Sequence, residues 1–214
     1  MTTPPATAAG KLIVLEGIDG TGKTTLAARL VAALRASGVD AIETREPWTS
    51  RHGQELKRLL AQPERTSTKE QELKLFHADR VEHVASVVRP ALARGAWVVQ
   101  DRTFWSTAAY QGAEGAAGPG PSAPEIVRRS LAIAPKPDVT LLLRLSPERA
   151  LERIARHRAT TSSFERLEDL RAVERAYLRL AAKEPTIVEV DADRPLEEVA
   201  ADVLRIVRER LGRP

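Results

Sequence analysis

Residues Gly17-Ile18-Asp19-Gly20-Thr21-Gly22-Lys23-Thr24 follow directly on the apolar run Leu12-Ile13-Val14-Leu15. They fit the pattern GxxxxGK(S/T), and the setting fits as well: a buried strand, a Gly-rich turn, then a helix. The glycines let backbone N–H groups curl around a phosphate without Cβ clashes. The N-terminus of the new helix adds unpaired donors and the positive end of a dipole. Lys23 can then reach the outer phosphates, and the Thr24 hydroxyl can ligate Mg²⁺. Thr25 extends the same segment into the helix. The chemistry implied is binding of a nucleoside triphosphate with Mg²⁺; the competing reading is a strand-to-helix turn that binds nothing.

Two further strand ends carry charge. Arg45-Glu46-Pro47 follows the second strand and Asp101-Arg102 closes the third. Two arginines and an acid beside a P-loop suit a site that holds a second anionic substrate in line with a γ-phosphate. Asp101 stands where a Walker-B-type acid holds Mg²⁺ through water. Taken singly, each arginine reads equally as a surface ion pair.

The elements that must position these residues alternate between strand and helix. The strands are expected at Lys11–Glu16, Val39–Thr44, Trp97–Asp101, Asp138–Leu145 and Thr186–Val190. Between them lie helices from about Lys23 to Ser37-Gly38, Gly53 to Ala61, Thr68 to Arg94 (bent near Pro90), Pro147 to a break at Ala159–Ser163, and Glu165 to Lys183. A last helix spans Pro195–Leu211, and Gly112–Pro124 reads as a surface loop. This order predicts an α/β fold with one five-stranded parallel sheet flanked by helices, ligands sitting at the C-terminal strand ends.

The chain has 214 residues, room for one domain with a single core. Residues 1–10 read as a disordered tail rather than a signal peptide, and no apolar run is long enough to cross a membrane. Cysteine is absent, which rules out disulfides and thiolate metal sites and allows a cytoplasmic setting. The formal charge is +4, but the arginines are scattered among Glu and Asp, and aromatics make up only 4%. Stacking platforms for single strands are therefore scarce, and a nucleic-acid partner is not expected.

With these residues in place, the chain resembles the bacterial thymidylate kinases, P-loop nucleoside monophosphate kinases. The resemblance rests on LEGIDGTGKTT at 15–25, TREP at 44–47, LFHADRVEH at 75–83, DRTFWSTAAYQG at 101–112, KPDVTLLLRLSPE at 136–148 and AYLRLA at 176–181. It implies a three-layer P-loop fold over residues 11–214 with a lid at about 153–168. It also implies transfer of the γ-phosphoryl of Mg-ATP to dTMP, and a homodimer.

The same resemblance assigns roles. Phe76 stacks on the thymine ring, and Arg80, one helical turn on, hydrogen-bonds a base carbonyl; by periodicity alone Phe76 could equally be core. Tyr110 lies against the sugar, with Gln111 near the base. Arg45 and Arg102 hold the monophosphate, Lys23 the transferring phosphoryl, and Asp19 the 3′-hydroxyl or the metal. Because Gly20 leaves the P-loop without its own basic residue, a lid arginine is expected over ATP. Candidates are Arg153, Arg156, Arg158 and Arg166, with Arg156 and Arg158 foremost. The chain departs from the family pattern at Trp48-Thr49-Ser50, at Thr103, at Arg144 where an acid is usual, and in a shortened lid. A catalytically altered nucleotide-binding paralogue, or a kinase with changed monophosphate specificity, is the alternative these departures leave open.

Overall fold

The computed structural model describes residues 9–62, 66–112, 120–157 and 166–212, the His157 side chain excepted. Most of the expected N-terminal tail and the break at Ala159–Ser163 lie outside the described residues. Five strands form one all-parallel sheet: β1 (Lys11–Glu16), β2 (Ala41–Arg45), β3 (Trp97–Asp101), β4 (Val139–Arg144) and β5 (Ile187–Asp191), in the order β2-β3-β1-β4-β5.

The central strands are apolar on both faces because helices cover both, as a parallel sheet requires. Ile13 and Leu15 of β1 pack with Leu141 and Leu143 of β4 against α1 (Lys23–Ala36) and α9 (Leu196–Leu211). On the opposite face Leu12 and Val14 meet Val88, Ala91 and Val98. Further along that face, Leu142 packs with Phe104 and Trp105 of α5 (Phe104–Gln111) and with Leu170 and Tyr177 of α8 (Leu167–Ala181).

Register is what assembles the strand ends. Leu15 of β1 and Arg45 of β2 both pair with Asp101 of β3, so the three strands terminate at one level. Arg45, Asp101 and the turn that follows Glu16 are therefore neighbours although distant in sequence.

The remaining helices are α2 (Arg51–Leu60), α3 (Lys69–His83), α4 (Arg89–Ala93), α6 (Ala123–Leu131) and α7 (Pro147–His157). The expected single helix from Thr68 to Arg94 is divided. Its interruption is a π-helical stretch, Val84–Val88, immediately before Pro90. A proline lacks an N–H and its ring crowds the carbonyl four residues back; widening the preceding turn relieves both. The N-terminus of α3 is fixed by a capping box between Thr68 and Gln71, and that of α2 by the Ser50 hydroxyl accepting from Gly53 N–H.

Candidate active site

The Gly-rich turn is wedged between elements. A Cβ at Gly17 would lie 2.6 Å from the Leu143 carbonyl oxygen, and one at Gly20 2.7 Å from that of Ala150. Both glycines also have positive φ, so a side chain is excluded twice over. Lys23 is buried and folds back over the loop, its Nζ donating to the Ile18 carbonyl at 2.7 Å and reaching Thr21 Oγ1 at 3.4 Å. Burial, and then the neighbouring Arg102 cation, lower its pKa to about 8. An ammonium held this way lacks a full counter-charge, which a phosphate would supply.

Thr24 Oγ1 donates to Asp101 Oδ2 at 2.6 Å, while Asp101 Oδ1 is buried with no partner. No group of three or more His, Cys, Asp or Glu that could hold a metal occurs among the described residues. A hydroxyl, one carboxylate with a spare oxygen and a phosphate cradle fit Mg²⁺, which takes one or two protein oxygens beside phosphates and water.

Arg102 is the non-glycine residue with positive φ, 69°, among the described residues. Strain of this kind persists where surrounding contacts over-determine it, and the contacts are evident. Its NH1 donates to Ser106 Oγ at 2.8 Å and its NH2 to Asp19 Oδ1 at 2.7 Å, and the guanidinium lies 5.2 Å from the Tyr110 ring centroid. Behind it, the fully buried Glu16 carboxylate accepts from Thr103 N–H (2.8 Å), Ser106 Oγ (2.5 Å) and Tyr177 OH (2.8 Å). Burial raises the Glu16 pKa, opposed chiefly by Arg102 and then by those hydrogen bonds. The last residue of β1 thus caps the N-terminus of α5 and fixes the backbone just after Arg102.

A second buried network lies beyond β2. Glu46 Oε2 accepts from Arg80 Nε and NH2 at 3.0 and 2.8 Å, and Glu46 Oε1 lies 3.4 Å from His83 Nδ1. The other ring nitrogen of His83 lies 2.6 Å from Thr44 Oγ1. Burial pushes the Glu46 carboxyl up, but Arg80 and His83 outweigh it and the net shift is downward. Asp79 accepts from Trp48 N–H (2.7 Å) and Ser50 Oγ (2.5 Å) and so pins the loop between β2 and α2. Trp48, the first residue of the departure at Trp48-Thr49-Ser50, stacks on His83 with centroids 5.5 Å apart.

Two cavities open on this framework. The larger, about 640 Å³, runs from the Gly-rich turn past Thr24 and Asp101 to Arg153, Arg194 and Leu196. The smaller, about 390 Å³, extends between Phe76, Leu60, Tyr110 and Gln111. Both are bounded by Asp19, Lys57 and Arg102, where they meet.

The predicted residues distribute as follows. Asp19, Gly20, Thr21, Gly22, Lys23, Thr24, Thr25, Arg45 and Asp101 border the larger cavity; Phe76, Tyr110 and Gln111 border the smaller. Phe76 is half-buried and belongs to no core cluster. Gly17 and Ile18 lie within the turn itself. Arg80 lines neither cavity: it is 2% exposed, and four of its five N–H donors already reach Glu46, Ser130 and Thr107. Of the lid arginines, Arg153 borders the larger cavity and donates to the Ala192 carbonyl at 3.0 Å. Arg156 and Arg166 are exposed and Arg158 lies outside the described residues.

Several site residues carry no sequence signal that singles them out. Lys57 borders both cavities, its Nζ donating to the Trp48 carbonyl at 3.0 Å, yet it reads as one more cation on an exposed helix. Arg194 enters from the loop after β5. The anomalous Arg144 is off both cavities; it forms ion pairs with Glu174 (3.3 Å) and Glu189, tying β4 to α8 and β5.

The family model for thymidylate kinase matches residues 15–203. The chain is 42% identical over 201 residues to the "Probable thymidylate kinase" of Archaeoglobus fulgidus, covering 94% of this chain and 96% of that one. It is 41% identical over 203 residues to the thymidylate kinase of Leifsonia xyli subsp. xyli, with 93% and 95% covered. To that of Desulfotalea psychrophila it is 37% identical over 203 residues, with 94% and 96% covered.

Proposed function

Because this chain belongs to the thymidylate kinase family, we propose that its two cavities seat ATP and dTMP and that the γ-phosphoryl passes between them where the cavities meet. It is an ATP-dependent phosphotransferase, and the observation that carries the assignment of sites is that shared boundary of Asp19, Lys57 and Arg102.

In this reading the Gly-rich turn and Lys23 hold the donor phosphates, and Arg153 and Arg194 flank the rest of ATP. Arg45, Lys57 and Arg102 hold the dTMP phosphate; Phe76, Tyr110 and Gln111 surround its sugar and base, and the one spare Arg80 donor faces a base carbonyl. A phosphate oxygen of dTMP attacks the γ-phosphorus, a new P–O bond forms, and the bond to the β-phosphate oxygen breaks to leave ADP. The attacking oxygen is already anionic near neutral pH, so no strong general base is needed. Catalysis is then positioning plus charge neutralisation. Thr24 and Asp101 would hold Mg²⁺, which when bound would neutralise charge on the donor phosphates.

Arg156 and Arg158 are proposed to supply a further cation to the transition state. Alanine at either position should lower kcat and kcat/KM together with little change in KM. A homodimer and a cytoplasmic setting complete the proposal; no described helix is long and apolar enough to cross a membrane. The ion pairs of Arg144 account for that departure structurally, so nothing favours a binding-only paralogue. The test is ADP release measured with dTMP, dUMP, dCMP, dGMP and UMP: turnover should be fastest with dTMP. Equal rates across the set, or ADP release independent of any acceptor, would reject dTMP as the acceptor.

A further inference from the structure

Arg102 is held from several directions, and most of the restraint comes from the end of β1 and the turn that follows it. Its own N–H donates to the Leu15 carbonyl at 3.0 Å, and its carbonyl accepts from Gln100 Nε2 at 3.0 Å. The next N–H, that of Thr103, goes to Glu16 Oε1, and the guanidinium reaches Asp19 and Ser106. A positive φ at a residue with a long side chain persists only under such restraint.

Glu16 is the centre of this set. It is 1% exposed and borders neither cavity. Its Oε1 accepts from the Thr103 and Ser106 N–H groups and the Thr103 hydroxyl; its Oε2 accepts from the Ser106 and Tyr177 hydroxyls. At 2.5 Å from a carboxylate oxygen the Ser106 hydroxyl must donate, which leaves its lone pairs to accept from Arg102 NH1 at 2.8 Å. The carboxylate accepts only and the guanidinium donates only, so the hydroxyl between them has its direction set from both ends. A direct ion pair with Glu16 would instead occupy donors of the guanidinium.

We propose that Glu16 is the positioning residue for the Arg102 guanidinium, acting through the Ser106 hydroxyl. The inference rests on the reading in which Arg102 holds the phosphate of dTMP. Glutamine at position 16 keeps the size and removes the order. Its single acceptor oxygen is claimed by the Thr103 and Ser106 N–H groups, so α5 keeps its cap. The NH₂ end then falls against the Ser106 hydroxyl, which must accept there and turn its proton toward Arg102 or Tyr177. The guanidinium loses its fixed place, while Phe76 and Tyr110, assigned to base and sugar, keep theirs.

The test is calorimetry with dTMP and with thymidine, which shares the base and sugar and lacks the phosphate. In Glu16→Gln the affinity for dTMP should fall about tenfold while that for thymidine stays within about twofold. Ser106→Ala, which cuts the link and leaves the Glu16 carboxylate on the α5 N–H groups, should show the same selective loss, and it serves if Glu16→Gln fails to fold. Added to Arg102→Met, Glu16→Gln should leave the ratio of the two affinities within about twofold of that in Arg102→Met alone, since a residue acting through Arg102 has nothing left to act on. Parallel losses for dTMP and thymidine, an unchanged dTMP affinity, or a loss that persists in full without Arg102 would overturn the proposal. Should dTMP bind the unmodified protein no better than thymidine, the reading of Arg102 as the phosphate holder fails. The crystal structure of Glu16→Gln then judges the positioning role: Arg102 NH1 drawn away from Ser106 supports it, and an unmoved Arg102 overturns it.

Discussion

The two cavities are built by different physics. The wall of the smaller one is backed by buried polar side chains that hold one another across elements: Glu46 with Arg80 and His83, Asp79 with Trp48 and Ser50, Glu72 with Gln111. The larger one is shaped by backbone, a Gly-rich turn and a helix N-terminus. Two of its side-chain cations, Arg153 and Arg194, are about a third exposed and pair with Asp193 and with Asp191 and Asp202 near the surface. Breaking one partner of a buried charged network leaves a desolvated group stranded, whereas surface pairs contribute little and are screened by salt. On the proposed assignment of the substrates, shape and base discrimination belong to the smaller cavity, and recognition of charge to the larger.

The contrast can be broken first at the phosphate cradle of the larger cavity. Lys23→Ala should lower kcat by about 10²–10³-fold or more, since it removes a preorganised cation from the transferring phosphoryl. Its far-UV circular dichroism should stay native. Near-full turnover in the purified variant would reject the P-loop assignment.

Asp79→Ala attacks the loop between β2 and α2, part of the scaffold behind the smaller cavity. It strands the Trp48 N–H and the Ser50 hydroxyl, and should cost about 2–4 kcal/mol in chemical denaturation. The KM for dTMP should rise while that for ATP stays within about twofold. A parallel rise in both would mean that the two sides are not separately built.

Phe76→Ala should raise the KM for dTMP about tenfold with ATP unaffected, as loss of one stacking partner costs about 1–3 kcal/mol. If the ATP side moved equally, the ring would be a packing residue.

On the donor side the expected signature is titration. Lys23 in the free chain has its pKa lowered to about 8. Bound phosphate raises it, so binding takes up a proton above that pH. ATP affinity should therefore hold steady below pH 8 and weaken as pH rises, by about tenfold between pH 7 and 9. Calorimetry across that range, repeated with Lys23→Met, checks it. A slope that survives the substitution would belong to another group.

Much of this architecture is legible in the sequence because its signals are local. Leu12–Leu15, Trp97–Asp101 and Val139–Leu143 are short apolar runs closed by turn residues, and Gly38 and Pro147 punctuate the helices. The P-loop is legible for the same reason. What could not be read depends on pairings across the chain. Glu16 looks like the polar end of a strand until Ser106 and Tyr177, 90 and 161 residues away, are brought to it. Lys57 looks solvated until the loop after β2 folds Trp48 onto it. Arg80 stands out in the sequence within LFHADRVEH, yet its tie to Glu46, 34 residues earlier, does not. The π-helical stretch before Pro90 is not legible either, since proline marks a disturbance without stating its form.

The central claim is that both substrates sit at once with their phosphates meeting at Asp19, Lys57 and Arg102. The most direct measurement is calorimetric titration with a dinucleotide that joins adenosine to thymidine through five phosphates. The account predicts one molecule bound per chain, at least about 100-fold tighter than ATP or dTMP alone, and competition with both, as linkage makes the second contact intramolecular. An affinity no better than that of ATP, with dTMP still able to bind alongside, would contradict it.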